Sequence, residues 1–140
     1  MSEKFAHVQN KFSELAGGAK IGFSNSIFLS ERNTADRNRA LTYFMNEHKA
    51  FPPNTNIMDI LDFYFQTCSL EVNVKTLASI AATLANGGIC PATGRRILSP
   101  ETVKNCLILL FSCGMYDYSG AWAFNVGLPA KSGVSGKYLH

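Results

Sequence analysis

Nearly every regular segment of this chain reads as an α-helix until Lys131, where a strand begins close to the last residue of the sequence. A strand is stable only among partners, and about three are needed before a sheet stands by itself. The segment Lys131-Ser132-Gly133-Val134-Ser135-Gly136 has no visible partner strand. A row of helices leading into a lone strand leads us to expect one half of a larger α+β fold. Helix follows helix in the part that is present, and the sheet only starts at its C-terminal end.

The helices are delimited by their own caps. Phe5, Val8, Phe12, Leu15 and Ala16 recur at helical spacing, and Gly17-Gly18 ends that run. Residues 21–29 alternate small polar groups with Phe23, Ile27 and Leu29, which predicts extended or irregular backbone. A second helix starts near Ser30 or Thr34, carries Leu41, Phe44, Met45 and His48, and cannot pass Pro52-Pro53. Asn56 is positioned to cap a third helix, with Asp59 in its first turn and Ile57, Ile60, Leu61, Tyr64 and Cys68 on one stripe. Asn73 caps a fourth, with Val74, Leu77, Ala81 and Leu84 on one face and Gly87-Gly88 after it. Ser99-Pro100-Glu101 joins a cap, a first-turn proline and a first-turn acid, and Val103, Cys106, Leu107, Leu110 and Phe111 are expected to face a core before Gly114. A short aromatic helix follows over 118–126.

Composition excludes several classes of function. With 46% apolar and 16% charged residues the chain can bury a core and is not a disordered tail. Its 13 basic and 10 acidic residues are scattered, and the net charge of +3 forms no basic stripe, so nucleic acid is not an expected partner. The longest apolar run, Leu107 to Phe111, is far short of the roughly 20 residues that span a bilayer. The first residues have neither the basic-then-apolar order of a signal peptide nor the arginines of a transit peptide. Cys68, Cys90, Cys106 and Cys113 are spaced by 22, 16 and 7, which fits no zinc pattern, and His7, His48 and His140 form no cluster. Free thiols in a reducing compartment, no metal and no cofactor are the expectations.

Few residues could carry chemistry. Lys131-Ser132-Gly133 on a strand has the form of the third motif of serine β-lactamases and penicillin-binding proteins, where the lysine adds positive charge and the glycine lets substrate approach the backbone. The same chemistry needs Ser-x-x-Lys, and no serine or threonine here has a lysine three positions on. Gly-x-Ser-x-Gly and a phosphate-binding glycine loop are also missing, so the sequence shows no activated nucleophile of its own. Glu31 and Asn38 are seven apart and share a face if one helix holds both. A carboxylate beside an amide suits an α-amino-acid head group, and equally suits a solvated helix start. Tyr64 lies on an apolar stripe and can be a core residue with a satisfied hydroxyl. Tyr116, between a helix-ending glycine and Asp117, is better placed for a functional hydroxyl.

Several long stretches resemble one family in the right order. They are Gly22-Phe23-Ser24-Asn25, Ser30-Glu31-Arg32, Asp36-Arg37-Asn38, Leu61-Asp62-Phe63-Tyr64-Phe65-Gln66, Ala81 through Gly88, Ser112-Cys113-Gly114-Met115-Tyr116-Asp117 and Gly127 through Val134. Over residues 2 to 136 the chain resembles the C-terminal half of the serine-dependent glutaminases, in wording nearer the animal branch than the bacterial one.

The resemblance implies a partial β-lactamase/transpeptidase-like fold of α+β class. It implies hydrolysis of L-glutamine to L-glutamate and ammonia without a cofactor, and homo-oligomers. Residues 1–140 are then the C-terminal part of a single glutaminase domain. The compartment is mitochondrial for an animal member and cytoplasmic for a bacterial one. Glutamine is expected to be held by Glu31, Asn38, Tyr64, Tyr116 and the backbone of Val134. Tyr116 hands a proton to departing ammonia, the Val134 N–H donates to the oxyanion, and Lys131 adds positive field. The family's Ser-x-x-Lys has no match in this sequence. The chain alone is therefore expected to be inactive. A non-enzymatic paralogue that docks on full-length glutaminase subunits as an interaction module is the alternative.

Overall fold

The computed structural model describes residues 3–133 and the backbone of residues 138–139. Its elements in chain order are α1 (Glu3–Leu15), β1 (Gly22–Phe23), α2 (Asn25–Asn33), α3 (Asp36–Glu47), α4 (Ile57–Cys68), β2 (Leu70–Glu71), α5 (Val74–Ala85), α6 (Pro100–Cys113), a 3-10 turn (Tyr116–Tyr118), α7 (Ser119–Asn125), β3 (Lys131–Ser132) and β4 (Tyr138–Leu139). The class is α+β and mostly helical, as expected. The chain divides into two compact units: Met1–Lys11 with Ile21–Val72, and Phe12–Lys20 with Asn73–His140.

In the first unit, α2 and α3 both pack on α4. Ala35, Leu61 and Phe65 form the core of that corner, with Phe28 against them. Phe5 is fully buried and meets the Phe23 ring edge-on at 5.1 Å, and Phe23 lies 6.1 Å from Phe28. Removing a ring such as Phe5 or Phe65 from water contributes about 1.5–3 kcal/mol. β1 pairs with β2 antiparallel, Gly22 opposite Glu71 and Phe23 opposite Leu70.

One expectation fails here and another is narrowed. Residues 25–33 are helical, not irregular, because Ser24 acts as an N-cap and accepts the Ile27 N–H at 3.3 Å. Of the two starts expected for the second helix, the one near Thr34 is close to the observed start at Asp36, and the one near Ser30 falls inside the preceding helix. Thr34 closes α2 by donating both its N–H and its hydroxyl to the Ser30 carbonyl, and Asp36 starts α3 afresh.

In the second unit the predicted caps are in place. Asn73 accepts the Thr76 N–H at 2.8 Å, and Ser99 accepts the Thr102 N–H at 3.1 Å ahead of Pro100. Asn56 does the same for α4 in the first unit, accepting from Met58 and Asp59. The buried face of α5 is not the predicted one. Thr76, Ile80 and Thr83 are buried, and Val74 is 76% exposed. Thr83 tolerates full burial because its hydroxyl bonds the Leu15 carbonyl at 2.8 Å and the Ser79 carbonyl at 3.0 Å.

Leu84 and Ala81 instead line an apolar cavity of about 250 Å3 with Leu107, Leu110, Leu128 and Pro129. On α6 only Val103 is buried, and Phe111 is 41% exposed, so the predicted core face of this helix is largely open. The C-terminal strand does have a partner: β3 pairs with β4, Lys131 opposite Leu139 and Ser132 opposite Tyr138. A two-residue hairpin falls short of a self-supporting sheet. No helix of the described residues is long and apolar enough to cross a membrane.

Candidate functional site

The candidate residues fall into two groups, one in each unit. In the first unit Glu31 is in the last turns of α2, Asn38 in the first turn of α3, and Tyr64 in the middle of α4. Glu31 and Asn38 therefore lie on different helices, not on one face of a single helix. Their neighbours fix the corner. Arg32 Nε donates to Asp62 Oδ1 at 2.9 Å, tying α2 to α4, and Arg39 donates to the Arg32 carbonyl, tying α3 to the end of α2. Thr42 donates its hydroxyl to the Asn38 carbonyl at 2.8 Å.

Tyr64 is 49% exposed and does not belong to the core that Leu61 and Phe65 form on the same helix. One turn later, Cys68 registers the company it keeps. Partial burial raises its thiol pKa, the Tyr64 side chain lowers it by hydrogen bonding, and the Glu31 carboxylate raises it again. The Glu31 carboxylate on α2 and the Tyr64 phenol on α4 thus both influence this thiol. A carboxylate can receive an ammonium, and a phenol hydroxyl can bond a second polar group.

In the second unit, Tyr116 follows Gly114 and Met115 and opens the 3-10 turn with φ +51°. A bulky L-residue in this left-handed region costs roughly 1–2 kcal/mol and marks a position that the surroundings hold by force. The side chain is 66% exposed, and Lys131 Nζ sits 4.6 Å above its ring centre. Such a cation–ring contact contributes about 0.5–1 kcal/mol at an exposed site. Lys131 also donates to the Ser132 carbonyl at 2.8 Å.

The strand that carries Lys131 is docked on the end of α6. The Ser132 N–H bonds the Gly114 carbonyl at 3.0 Å, and a Cβ at Gly114 would collide with the Ala130 carbonyl. The turn before it is held by the Trp122 indole N–H, which donates to the Leu128 carbonyl at 2.8 Å. Tyr116 and Lys131, fifteen residues apart in sequence, are thereby brought together.

The expected Val134 backbone donor lies outside the described residues. Among the described residues no three His, Cys, Asp or Glu side chains converge on a possible metal position. A larger apolar groove of about 550 Å3 runs along α6 past Pro100, Leu107, Phe111 and Pro129, and none of the candidate residues lines it. Sequence reasoning placed Cys68 on the same stripe as Tyr64 but overlooked Ser119 as a neighbour of Tyr116. The spacing of three across a turn was the available signal.

The glutaminase family model matches residues 1–140. The mitochondrial liver isoform of glutaminase from Rattus norvegicus is 54% identical over 138 residues, covering 99% of this chain and 23% of that protein. Glutaminase 2 of Clostridium perfringens is 46% identical over 134 residues, covering 96% of this chain and 43% of that one. A Bacillus glutaminase crystallised in 4.3 M NaCl superposes with a TM-score of 0.89 at 33% identity, over 97% of this chain and 45% of that chain. The chain spans less than half the length of each of these relatives, and about a quarter of the rat protein.

Proposed function

The chain belongs to the glutaminase family, and from that premise we propose that these 140 residues form the C-terminal part of a catalytic domain that hydrolyses L-glutamine to L-glutamate and ammonia. The observation that carries the reading is Tyr116, an exposed tyrosine in the left-handed region with Lys131 over its ring. A strained, solvent-reachable phenol beside a cation is suited to proton transfer at a reacting group.

In this reading Glu31 takes the α-ammonium of glutamine, and Asn38 and Tyr64 orient the amino-acid end. Tyr116 passes its hydroxyl proton to the departing ammonia. Lys131 supplies positive field, and the Val134 N–H donates to the tetrahedral oxyanion. The attacking serine and its lysine come from a Ser-x-x-Lys, which these 140 residues do not contain. The chain by itself is accordingly inactive, and activity belongs to a complete catalytic domain carrying it.

The test is steady-state glutamine hydrolysis by such a domain, with ammonia read through a coupled dehydrogenase. Tyr116→Phe should lower kcat about 10²-fold with little change in KM, because the hydroxyl acts on the leaving group in the transition state. An unchanged kcat removes Tyr116 from the mechanism.

A further inference from the structure

We propose that Ser119 is a positioning residue for Tyr116, a step that rests on the catalytic reading of Tyr116 given above. The backbone of Tyr116 is in the left-handed region, where a tyrosine does not stay unless something holds it. Ser119, three residues on, is the group that holds it. Its Oγ donates to the Tyr116 carbonyl at 2.7 Å and accepts the Met115 N–H at 3.0 Å. The two bonds tie the Gly114–Met115 peptide N–H and the Tyr116 carbonyl to one side-chain oxygen, so the backbone dihedrals of Met115 and Tyr116 that lie between them are constrained together. The Ser119 N–H adds a second donor to the same Tyr116 carbonyl.

Ser119 is only 6% exposed, so water does not replace these bonds when the hydroxyl is removed. The other end of the turn is fixed separately, by the Gly114 carbonyl accepting the Ser132 N–H. Ser119 is thus the clamp on the side of the turn that the β3 strand does not reach. Its hydroxyl never needs to meet substrate. It acts by keeping the Tyr116 side chain under Lys131, where the ring is found. A catalytic group misplaced by about 1 Å loses on the order of 10² in rate.

The test is a double-mutant cycle in a complete catalytic domain carrying these residues. Ser119→Ala should lower kcat roughly 10- to 100-fold with KM changed less than about twofold. In a Tyr116→Phe background the same substitution should cost almost nothing, because the hydroxyl it positions is gone. Ser119→Thr, which keeps a donor and acceptor oxygen, should recover part of the lost kcat.

Equal losses from Ser119→Ala in both backgrounds would mean a merely structural role and would overturn the proposal. An unchanged kcat in Ser119→Ala would overturn it too. A silent Tyr116→Phe would instead overturn the reading of Tyr116, and the positioning role with it. If Ser119→Ala does not fold, Ser119→Cys keeps a weak donor in similar volume and carries the same cycle, with the same dependence on Tyr116 expected.

Discussion

Gly114→Ala is the substitution whose cost the structure sets most sharply. Gly114 has φ −67° and ψ −20°, ordinary helical values, so glycine is not there for its conformational freedom. It is there because nothing larger fits. An added Cβ would run into the carbonyl oxygens of Ala130 and Leu110 and lie 3.0 Å from the Ala130 carbonyl carbon. These are backbone atoms and cannot swing aside like a side-chain tip. Overpacking of this kind costs about 1–3 kcal/mol. Moving Ala130 away also gives up the bond from the Ser132 N–H to the Gly114 carbonyl, about 0.5–1.5 kcal/mol more.

The sum is roughly 1.5–4.5 kcal/mol. With a denaturant slope of about 3 kcal/mol per molar, a loss near 3 kcal/mol moves the urea midpoint of the catalytic domain by about 1 M. Lys131 moves with Ala130, so kcat should fall as well. Gly120 is the control: it is in the first turn of α7, and no atom lies within 4 Å of its added Cβ. Gly120→Ala should stabilise by about 0.5–1 kcal/mol. A Gly114→Ala midpoint equal to the parent's, or a Gly120→Ala loss as large as that of Gly114→Ala, would refute the steric reasoning.

Three further outcomes are expected. Glu31→Gln should raise KM about 10- to 100-fold with a smaller effect on kcat, since an ammonium contact exists in ground and transition states alike; equal KM values in steady-state kinetics would sink the assignment. Alkylation of Cys68 by iodoacetamide, followed by mass spectrometry across the alkaline range, should be slower than for an ordinary thiol because its raised pKa leaves less thiolate. Glu31→Gln should speed that reaction and Tyr64→Phe should slow it, and the opposite signs would separate these three side chains. The same raised pKa makes the thiol's contribution to stability complete below the unfolded-state pKa and lost as pH rises through the folded-state one. The isolated 140-residue chain should aggregate, because the strands among the described residues pair in twos and apolar side chains such as Phe124, Leu109 and Phe44 are open to water; a sharp melt from a monomer, by circular dichroism and size-exclusion chromatography, would contradict this.

Much of the helical framework was legible because capping is local chemistry. Asn56, Asn73 and Ser99 each accept the N–H groups that their positions promise. Ser24 does the same, but it sits among small polar residues that read equally well as a loop, so α2 was missed. The burial of α5 was misread because Thr76 and Thr83 look polar in sequence. A buried threonine becomes tolerable only when its hydroxyl finds a carbonyl, and the Leu15 carbonyl is 68 residues distant. The pairing of Tyr116 with Lys131 was invisible for the same reason. It depends on Gly114 admitting the Ala130 carbonyl, a tertiary contact with no periodic signature. Tyr64 was ambiguous in sequence because a stripe of apolar residues does not say where the stripe's edge falls.

Ammonia release from glutamine by the purified 140-residue chain tests the central claim most directly. Hydrolysing a carboxamide needs an activated nucleophile, and none of the twelve serines is followed three residues on by lysine. In the proposed mechanism Tyr116 and Lys131 assist an attack and do not make one. The account predicts no turnover from the chain alone, and turnover that depends on Tyr116 from a complete catalytic domain carrying it. Release from the chain alone at the ordinary enzymatic scale of ~1–10³ s⁻¹, abolished by a single substitution within it, would contradict the account.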